Sequence, residues 1–227
     1  GQVFAHGADG VVSEVYTEPR PGRATYGVRF DAPRDRLLIC SNRAEGAEGR
    51  GGAELLILAL STGAVERQAF AGPEADHICN DIALLEDGRS IVTDTVAGKL
   101  WLHQPGQALR PFSAVGFVYP NGIAISRQRR QVFVADFLGI WALDLQGRLL
   151  GRVEPGEGKH FGGVDGLYVI GDRLIGIQNI TTPERVLAAG LRRGLNACVT
   201  VMASGQPRLY GMTTAALAND RLAVLSR

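Results

Sequence analysis

The feature that most constrains the fold is a segment that recurs five times along the chain, at intervals of 41 to 54 residues. Each copy begins with a short apolar run that follows a polar loop. The residue pairs that open these runs are Gly27-Val28, Asp81-Ile82, Gly122-Ile123, Gly166-Leu167 and Gly211-Met212. A second run follows in each copy, as in Gln131-Val132-Phe133-Val134. Runs of roughly four to eight residues rich in Val, Ile and aromatics, bounded by glycine or charged turns, are typical of β-strands.

A repeat of about 40–50 residues with four short strands in each copy is the sequence signature of a β-propeller. Five copies in phase favour this fold over a chance succession of hairpins. We therefore predict an all-β chain, with residues 1–227 forming a single β-propeller domain of four-stranded blades. Four blades are predicted over residues 26–70, 80–113, 120–153 and 165–209. Only the segment from Pro183 to Leu191 has a pattern that favours a helix.

The two ends of the chain carry complementary halves of the repeat. Residues 1–15 match the third and fourth strands of a copy, and Gly211 to Leu225 match the first and second. About five blades are therefore visible. Either the ends combine into one shared blade, or the first blade is incomplete because an upstream segment is missing. The sequence has no initiator Met and no visible signal peptide, so the compartment stays open.

Composition excludes several classes of function. The net charge of +1 gives no reason to expect a nucleic acid or an anionic membrane as partner. The longest apolar run, Leu55 to Leu60, is too short to cross a bilayer, so we expect a soluble protein. The three cysteines, Cys40, Cys79 and Cys198, form no Cys-x-x-Cys pair. We therefore expect buried free thiols rather than a zinc site or a disulfide framework.

Candidate site residues share one position, directly before the first strand of each repeat. They are Tyr26, Asn80, Asn121, Asp165 and Tyr210. The first strand of each propeller blade is innermost, so these positions are expected to converge at the mouth of a central channel. Amide and carboxylate oxygens suit a hard cation such as calcium, with zinc or magnesium as alternatives. Asn-Gly and Asp-Gly are also common turn pairs, but their shared phase favours a common site.

Three motifs resemble successive blades of the gluconolactonase and regucalcin (senescence marker protein) family, to which paraoxonases and strictosidine synthase are more distantly related. The motifs are Cys79-Asn80-Asp81-Ile82-Ala83 with Val92-Thr93-Asp94, Pro120-Asn121-Gly122-Ile123-Ala124 with Val134-Ala135-Asp136, and Val164-Asp165-Gly166-Leu167. The resemblance covers nearly the whole chain and is strongest over residues 76–180. It implies a six-bladed propeller with a divalent cation, often calcium, in its channel, and a lactonase or related esterase activity.

The same resemblance implies a set of metal ligands. The family uses a Glu at the start of the first blade, two Asn and one Asp, of which the last three match Asn80, Asn121 and Asp165. The Asp is also the family's usual general base or nucleophile. No residue here matches the Glu, because Glu14 and Glu18 are predicted on the wrong side of their blade. The family likeness therefore implies a weaker cation site with one formal negative charge.

Four further residues are candidates for the same site. His77 and His160 lie three and five residues before Asn80 and Asp165, on loops predicted to face the channel mouth, so either could transfer protons. We assign His77 to the catalytic set with Asp165. Tyr26, His160 and Tyr210 are predicted to line the substrate pocket, although packing at the channel rim explains the tyrosines as well.

Two functions of different classes follow. The leading hypothesis is a metal-dependent hydrolase that opens a small-molecule lactone or ester, in which the cation polarises the carbonyl and activates water. The alternative is a non-catalytic propeller that binds or interacts with a partner and has lost its full metal site. The sequence gives no indication of the oligomeric state, the identity of the lactone or the physiological cation.

Overall fold

The chain is almost entirely β-sheet. A computed structural model describes residues 1–7, 9–46, 52–73, 77–192, 194–218 and 221–226. Within these residues, four sheets have four strands, two have two strands, and the only helical piece is the 3-10 turn Ala32–Arg34. No helix of the described ranges combines the length and apolar character that crossing a bilayer requires. The all-β prediction, with four-stranded blades, is confirmed.

Within each sheet, neighbouring strands are also consecutive in the sequence. The first two-stranded sheet contains β1 (Gln2–His6) and β2 (Val12–Thr17). The first four-stranded sheet contains β3 (Arg23–Asp31), β4 (Arg36–Arg43), β5 (Glu54–Ala59) and β6 (Val65–Ala69). The second contains β7 (Cys79–Leu84), β8 (Ser90–Asp94), β9 (Lys99–His103) and β10 (Arg110–Pro111).

The remaining strands continue the pattern. The third four-stranded sheet contains β11 (Ile123–Ser126), β12 (Gln131–Ala135), β13 (Ile140–Asp144) and β14 (Leu149–Arg152). The fourth contains β15 (Val164–Ile170), β16 (Arg173–Gln178), β17 (Arg185–Leu191) and β18 (Ala197–Ser204). The last two-stranded sheet contains β19 (Ala215–Ala218) and β20 (Arg221–Val224). These bounds match the four predicted blades closely.

Burial explains why the strands have these sequences. The second strand of the third sheet, β12, carries Val132, Phe133 and Val134, all fully buried. Such continuous apolar runs are expected where both faces of a strand are covered. The fourth strand, β14, is mostly exposed and lies at the sheet edge. The turn between β7 and β8 contains Asp87-Gly88, and Gly88 has a φ of +92°, which favours glycine.

Packing divides the chain into two compact units. Unit 1 comprises residues 1–92 and 102–110, and unit 2 comprises residues 93–101 and 111–227. In unit 1, Val3 and Tyr16 pack with Ile39 and Leu56. In unit 2, the buried apolar side chains of the third and fourth sheets form one cluster that includes Phe133, Phe161, Leu167 and Leu187. That the chain forms one domain remains a prediction.

Two expectations from the sequence are wrong. Residues 185–191 form the strand β17 rather than a helix, because Leu187 and Ala189 pair with Val201 and Val199 of β18. Cys40 and Cys79 are not free thiols, since they form a disulfide. In the described residues, each end of the chain forms a two-stranded sheet of its own unit.

Candidate functional site

Asn121 and Asp165 belong to neighbouring first strands of unit 2. Asn121 lies in the loop before β11, and Asp165 is the second residue of β15. The backbones are so close that a methyl group on Gly122 would overlap the carbonyl oxygen of Asp165 and the amide nitrogen of Leu167. Only glycine permits this approach. The backbones of these two positions are therefore neighbours within unit 2, and the role of both residues as ligands remains a prediction.

The Asn121 loop is anchored by backbone and hydroxyl contacts. The amide of Asn121 donates to the carbonyl of Ala135 at 2.8 Å, which extends the β11–β12 ladder by one step. The Thr93 hydroxyl donates to the carbonyl of Asn121 at 2.7 Å, and the Thr95 hydroxyl donates to that of Pro120 at 2.8 Å. The loop therefore holds its half-buried asparagine in a defined position.

Asn179 is a site residue that the sequence did not reveal. It directly follows β16, and its Nδ2 donates to Oδ2 of Asp165 at 2.6 Å. The start of β15 and the end of β16 lie side by side, because Val164 pairs with Gln178. The signal available in the sequence was an Asn at the end of a second strand, where the two preceding blades carry Asp94 and Asp136.

Asp94 and Asp136 are structural residues. Asp94 accepts hydrogen bonds from the Trp101 indole at 3.0 Å and the amide of Ala97 at 3.3 Å. Asp136 accepts from the amides of Val118, Leu138 and Gly139 at 2.8 to 3.1 Å. Both carboxylates thus close the loop that follows the second strand of their blade. Asn179 is at the equivalent position in the fourth sheet, but its side chain donates a hydrogen bond to Asp165.

Asn80 lies in unit 1, on β7, and is half-buried. A methyl group on Gly27 of β3 would overlap the carbonyl of Asn80, so β3 and β7 approach each other as β11 and β15 do. Tyr26 lies next to this contact and is 48% exposed. The structure therefore places Gly27, the residue after Tyr26, against Asn80 within unit 1.

The backbone before Asn80 is fixed twice. Cys79 forms the disulfide with Cys40 of β4, with a Cα–Cα distance of 5.1 Å. The Asn42 side chain donates to the carbonyl of Cys79 at 2.8 Å and accepts from its amide at 2.9 Å. These contacts couple β4 to β7 directly behind the candidate ligand.

The two histidines differ in environment. His77 in unit 1 is buried, and its ring stacks on Phe70 with 5.5 Å between ring centroids. His160 in unit 2 is exposed and contacts Gln178 and Arg185 through its two ring nitrogens, at 3.3 and 3.1 Å. Gln178 precedes Asn179, so His160 belongs to the same end of the fourth sheet as Asp165. A proton-transfer role for His77 remains a prediction.

Tyr210 does not lie at the repeat position. It is 72% exposed and five residues before β19, whereas Asp165 lies within its strand. The groups nearest to a methyl group on Gly166 are backbone atoms of Thr213 and Thr214 and the hydroxyl of Tyr168, at 3.1 to 3.2 Å. Thr213 and Thr214 therefore occupy the place beside Asp165 that the sequence assigned to Tyr210 and Gly211. The sequence analysis placed the start of this repeat too early, because Gly211-Met212 has the same pattern of a glycine before an apolar residue as the other copies.

Glu18 does not replace the missing glutamate ligand. Its carboxylate is buried and binds the guanidinium groups of Arg20 and Arg67 at 2.8 to 3.1 Å. Burial alone would raise the pKa of Glu18, but the hydrogen bonds from Arg20 and Arg67 outweigh it and hold this pKa far below the ordinary range. The negative charge of Glu18 is thus paired with two guanidinium groups inside unit 1.

The predicted ligands suit a hard cation, which they would bind with modest affinity. No group of three or more His, Cys, Asp or Glu side chains gathers among the described residues. The predicted set contains amide oxygens and the single carboxylate of Asp165, which already accepts a hydrogen bond from Asn179. Oxygen ligands fit calcium or magnesium rather than zinc, and low ligand charge implies weak binding. A cavity of about 370 Å³ elsewhere in unit 2, beside Lys159 and Cys198, includes none of these residues.

Comparisons with known proteins define the fold class. No protein-family model matches the sequence, and no curated protein matches it. A gluconolactonase from Xanthomonas campestris superposes over 99% of this chain and 75% of its own, with a TM-score of 0.68 and 17% identity. A virginiamycin B lyase from Staphylococcus aureus covers 100% of this chain and 77% of its own, with a TM-score of 0.66 and 11% identity.

A third solved structure, the nidogen/laminin complex, is similar over 86% of this chain and 84% of the other, with a TM-score of 0.53 and 15% identity. Identities this low show the fold and not the activity. Together with the four antiparallel four-stranded sheets, they define the chain as a β-propeller.

Proposed function

We propose that this chain hydrolyses lactones or esters at Asn121 and Asp165. The observation that carries the proposal is the half-buried Asp165 carboxylate, which is oriented by the Asn179 amide and belongs to a residue whose backbone lies beside the Asn121 loop. The fold shared with a gluconolactonase supports the same reaction class. A half-buried carboxylate with a fixed orientation is suited to general base catalysis.

In the proposed reaction, the Asp165 carboxylate takes a proton from a water molecule as that water attacks the carbonyl carbon of the ester. The carbon–oxygen bond to the leaving alkoxide then breaks, and the alkoxide receives the proton. The products are a carboxylic acid, which then releases its proton to solvent, and an alcohol; in a lactone both groups belong to one hydroxy acid. Asn179 is a positioning residue, because it acts through Asp165.

A divalent cation is part of the proposal. Asn121 and Asp165 of unit 2 would hold it. When bound, it would polarise the carbonyl oxygen of the substrate. Calcium suits this oxygen set best.

The test is hydrolysis of a lactone panel by the wild-type chain and by Asp165→Asn. General base catalysis contributes roughly 10²- to 10⁴-fold, so the variant should lose at least about 100-fold in kcat. Asp172→Asn is the matched control, because Asp172 is a largely exposed carboxylate of the same sheet. Equal rates in wild type and Asp165→Asn would rule out the proposed role.

Cation involvement has its own readout. Calcium binding measured by calorimetry should be weakened by Asn121→Ala and Asp165→Asn. Hydrolysis should fall on addition of EDTA and return with calcium. Absence of binding at millimolar calcium, magnesium and zinc would remove the cation from the proposal. If the lactone panel is not hydrolysed either, the chain is a non-catalytic propeller.

A further inference from the structure

Large apolar side chains are exposed at the end of unit 2 that carries Asp165. They come from three loops and are Val118, Tyr119, Phe137, Leu138 and Ile180, each 42–63% exposed. We refer to these five residues as the apolar rim. Single exposed apolar residues are common on protein surfaces, but a contiguous group of large ones indicates a binding surface.

Backbone contacts join the three loops of the apolar rim into one surface. The amide of Phe137 donates to the carbonyl of Val118 at 2.8 Å, which joins the loop before β11 to the loop after β12. A methyl group on Gly162 would lie 3.1 Å from the carbonyl of Phe137. The next residue, Gly163, lies directly under the side chain of Ile180.

The same loops border the candidate site. Ile180 directly follows Asn179, whose amide holds the Asp165 carboxylate. Tyr119 lies two residues before Asn121, and Gly163 lies two residues before Asp165. A molecule whose carbonyl reached Asp165 would therefore lie against Ile180 and its neighbours on the apolar rim.

Two polar side chains of these loops, those of Asp136 and Gln178, are engaged inside the protein. The Asp136 carboxylate accepts three backbone amides, and the Gln178 side chain binds the carbonyl of Gly162 and the guanidinium of Arg185. A site for a polyhydroxylated sugar needs donors and acceptors directed at each hydroxyl group. The apolar rim instead offers hydrocarbon surface to the substrate.

We infer that the substrates are lactones or esters that carry an alkyl or aryl group of several carbons, and that this group packs on the apolar rim. The inference rests on the proposed function, because it names the substrate class of the same site. Sugar lactones, whose substituents are hydroxyl groups, are poor substrates on this basis.

A series of γ-lactones with increasing alkyl chains tests the inference. The probes are γ-butyrolactone, γ-hexalactone, γ-nonalactone and γ-undecalactone, with D-glucono-1,5-lactone as the polar comparison. Each methylene that packs on the rim should raise kcat/KM by up to about fourfold, the equivalent of the transfer free energy of one buried methylene group. We expect a rise of roughly 100-fold along the series.

Variants of the apolar rim should remove this gain. In the double variant Leu138→Ser/Ile180→Ser, kcat/KM for γ-undecalactone should fall toward the value for γ-butyrolactone. Leu150→Ser is the matched control, because Leu150 on β14 is as exposed as Leu138, at 48% against 49%, and lies on an outer strand of the third sheet. The control should keep the dependence on chain length.

The outcomes separate the two proposals. A flat series, or a preference for D-glucono-1,5-lactone, with activity that still depends on Asp165, overturns the inference and leaves the proposed function intact. If no lactone is hydrolysed, binding of γ-undecalactone is measured by saturation-transfer NMR. Binding that Leu138→Ser/Ile180→Ser abolishes supports the rim as a hydrocarbon site, and no binding overturns it. Self-association that this variant abolishes, without lactone binding, also overturns it.

Discussion

Removing the Cys40–Cys79 disulfide should destabilise the protein strongly while leaving its folded structure in place. Both cysteines are fully buried, and their Cα atoms are 5.1 Å apart. The perturbation is Cys40→Ala/Cys79→Ala, which removes the bond without introducing a buried hydroxyl group. The folded position of Cys79 is retained because the Asn42 side chain still binds its amide and carbonyl.

The magnitude follows from the length of the chain segment that the bond closes. The two cysteines are 39 residues apart in sequence. In the chain-entropy treatment of disulfides, a loop of this length restricts the unfolded state by about 4 kcal/mol at 25 °C. For a chain of this size, each kcal/mol shifts the unfolding temperature by about 2–4 °C, so we expect a fall of roughly 8–16 °C.

The assay combines thiol titration with urea unfolding. Without reductant, the native protein should show one reactive thiol, that of the exposed Cys198, and three after unfolding in reductant. The double variant and the reduced wild type should unfold at similar urea concentrations, both well below the oxidised wild type. Cys198→Ser should unfold with the oxidised wild type.

Two results would refute this reasoning. Three reactive thiols in the unreduced, unfolded chain would show that the bond does not form. A change of less than about 1 kcal/mol in the double variant would show that loop closure is not what stabilises the protein.

Three further predictions follow from the described contacts. Asn179→Leu should lower kcat with little change in KM, because the Asp165 carboxylate loses the hydrogen bond that orients it; a loss of stability with kcat unaltered would make Asn179 merely structural. Glu18→Gln should cost roughly 1.5–3 kcal/mol at neutral pH, because it weakens the hydrogen bonds to the guanidinium groups of Arg20 and Arg67 and leaves them Glu54 as their carboxylate partner, measured by urea unfolding. Because the pKa of Glu18 is lowered by folding, its contribution is complete above about pH 4.5 and lost at lower pH, and a pH-independent difference between Glu18→Gln and wild type would contradict this. Burial lowers the pKa of His103, so stability should fall as pH drops below about 6.5, and His103→Asn should reduce that fall in thermal melts.

The strands of this protein were predictable because their signals are local. The Gln131–Ala135 strand is apolar after its first residue and is followed by an aspartate, and residues 81–94 contain an Asp-Gly turn between two apolar runs. Side-chain periodicity and turn chemistry depend on neighbours within a few residues, so they can be read without the fold. The recurrence of these signals also placed Asn121 and Asp165 on equivalent strands.

Segments with mixed signals were predicted less well. Residues 185–191 contain Leu, Ala and Gly, which allow a helix as readily as a strand, and pairing with β16 and β18 decides for the strand. The last repeat was displaced because Gly211 resembles the glycines of the other copies. Thr213 and Thr214 are distinguished only by their contact with the neighbouring first strand.

The sequence by itself determined the all-β class, the bounds of the four four-stranded blades, and the positions of Asn80, Asn121 and Asp165 near the start of their first strands, since all of these repeat along the chain. The tertiary structure alone decided which distant groups meet. Spacing in the sequence gives no information about the distance between Cys40 and Cys79, and no repeat links Asn179 to Asp165. The apolar rim likewise exists only because three loops are brought to one end of unit 2. Pairing of strands converts separations of tens of residues into contacts of a few ångströms, and that conversion is not encoded in any short segment.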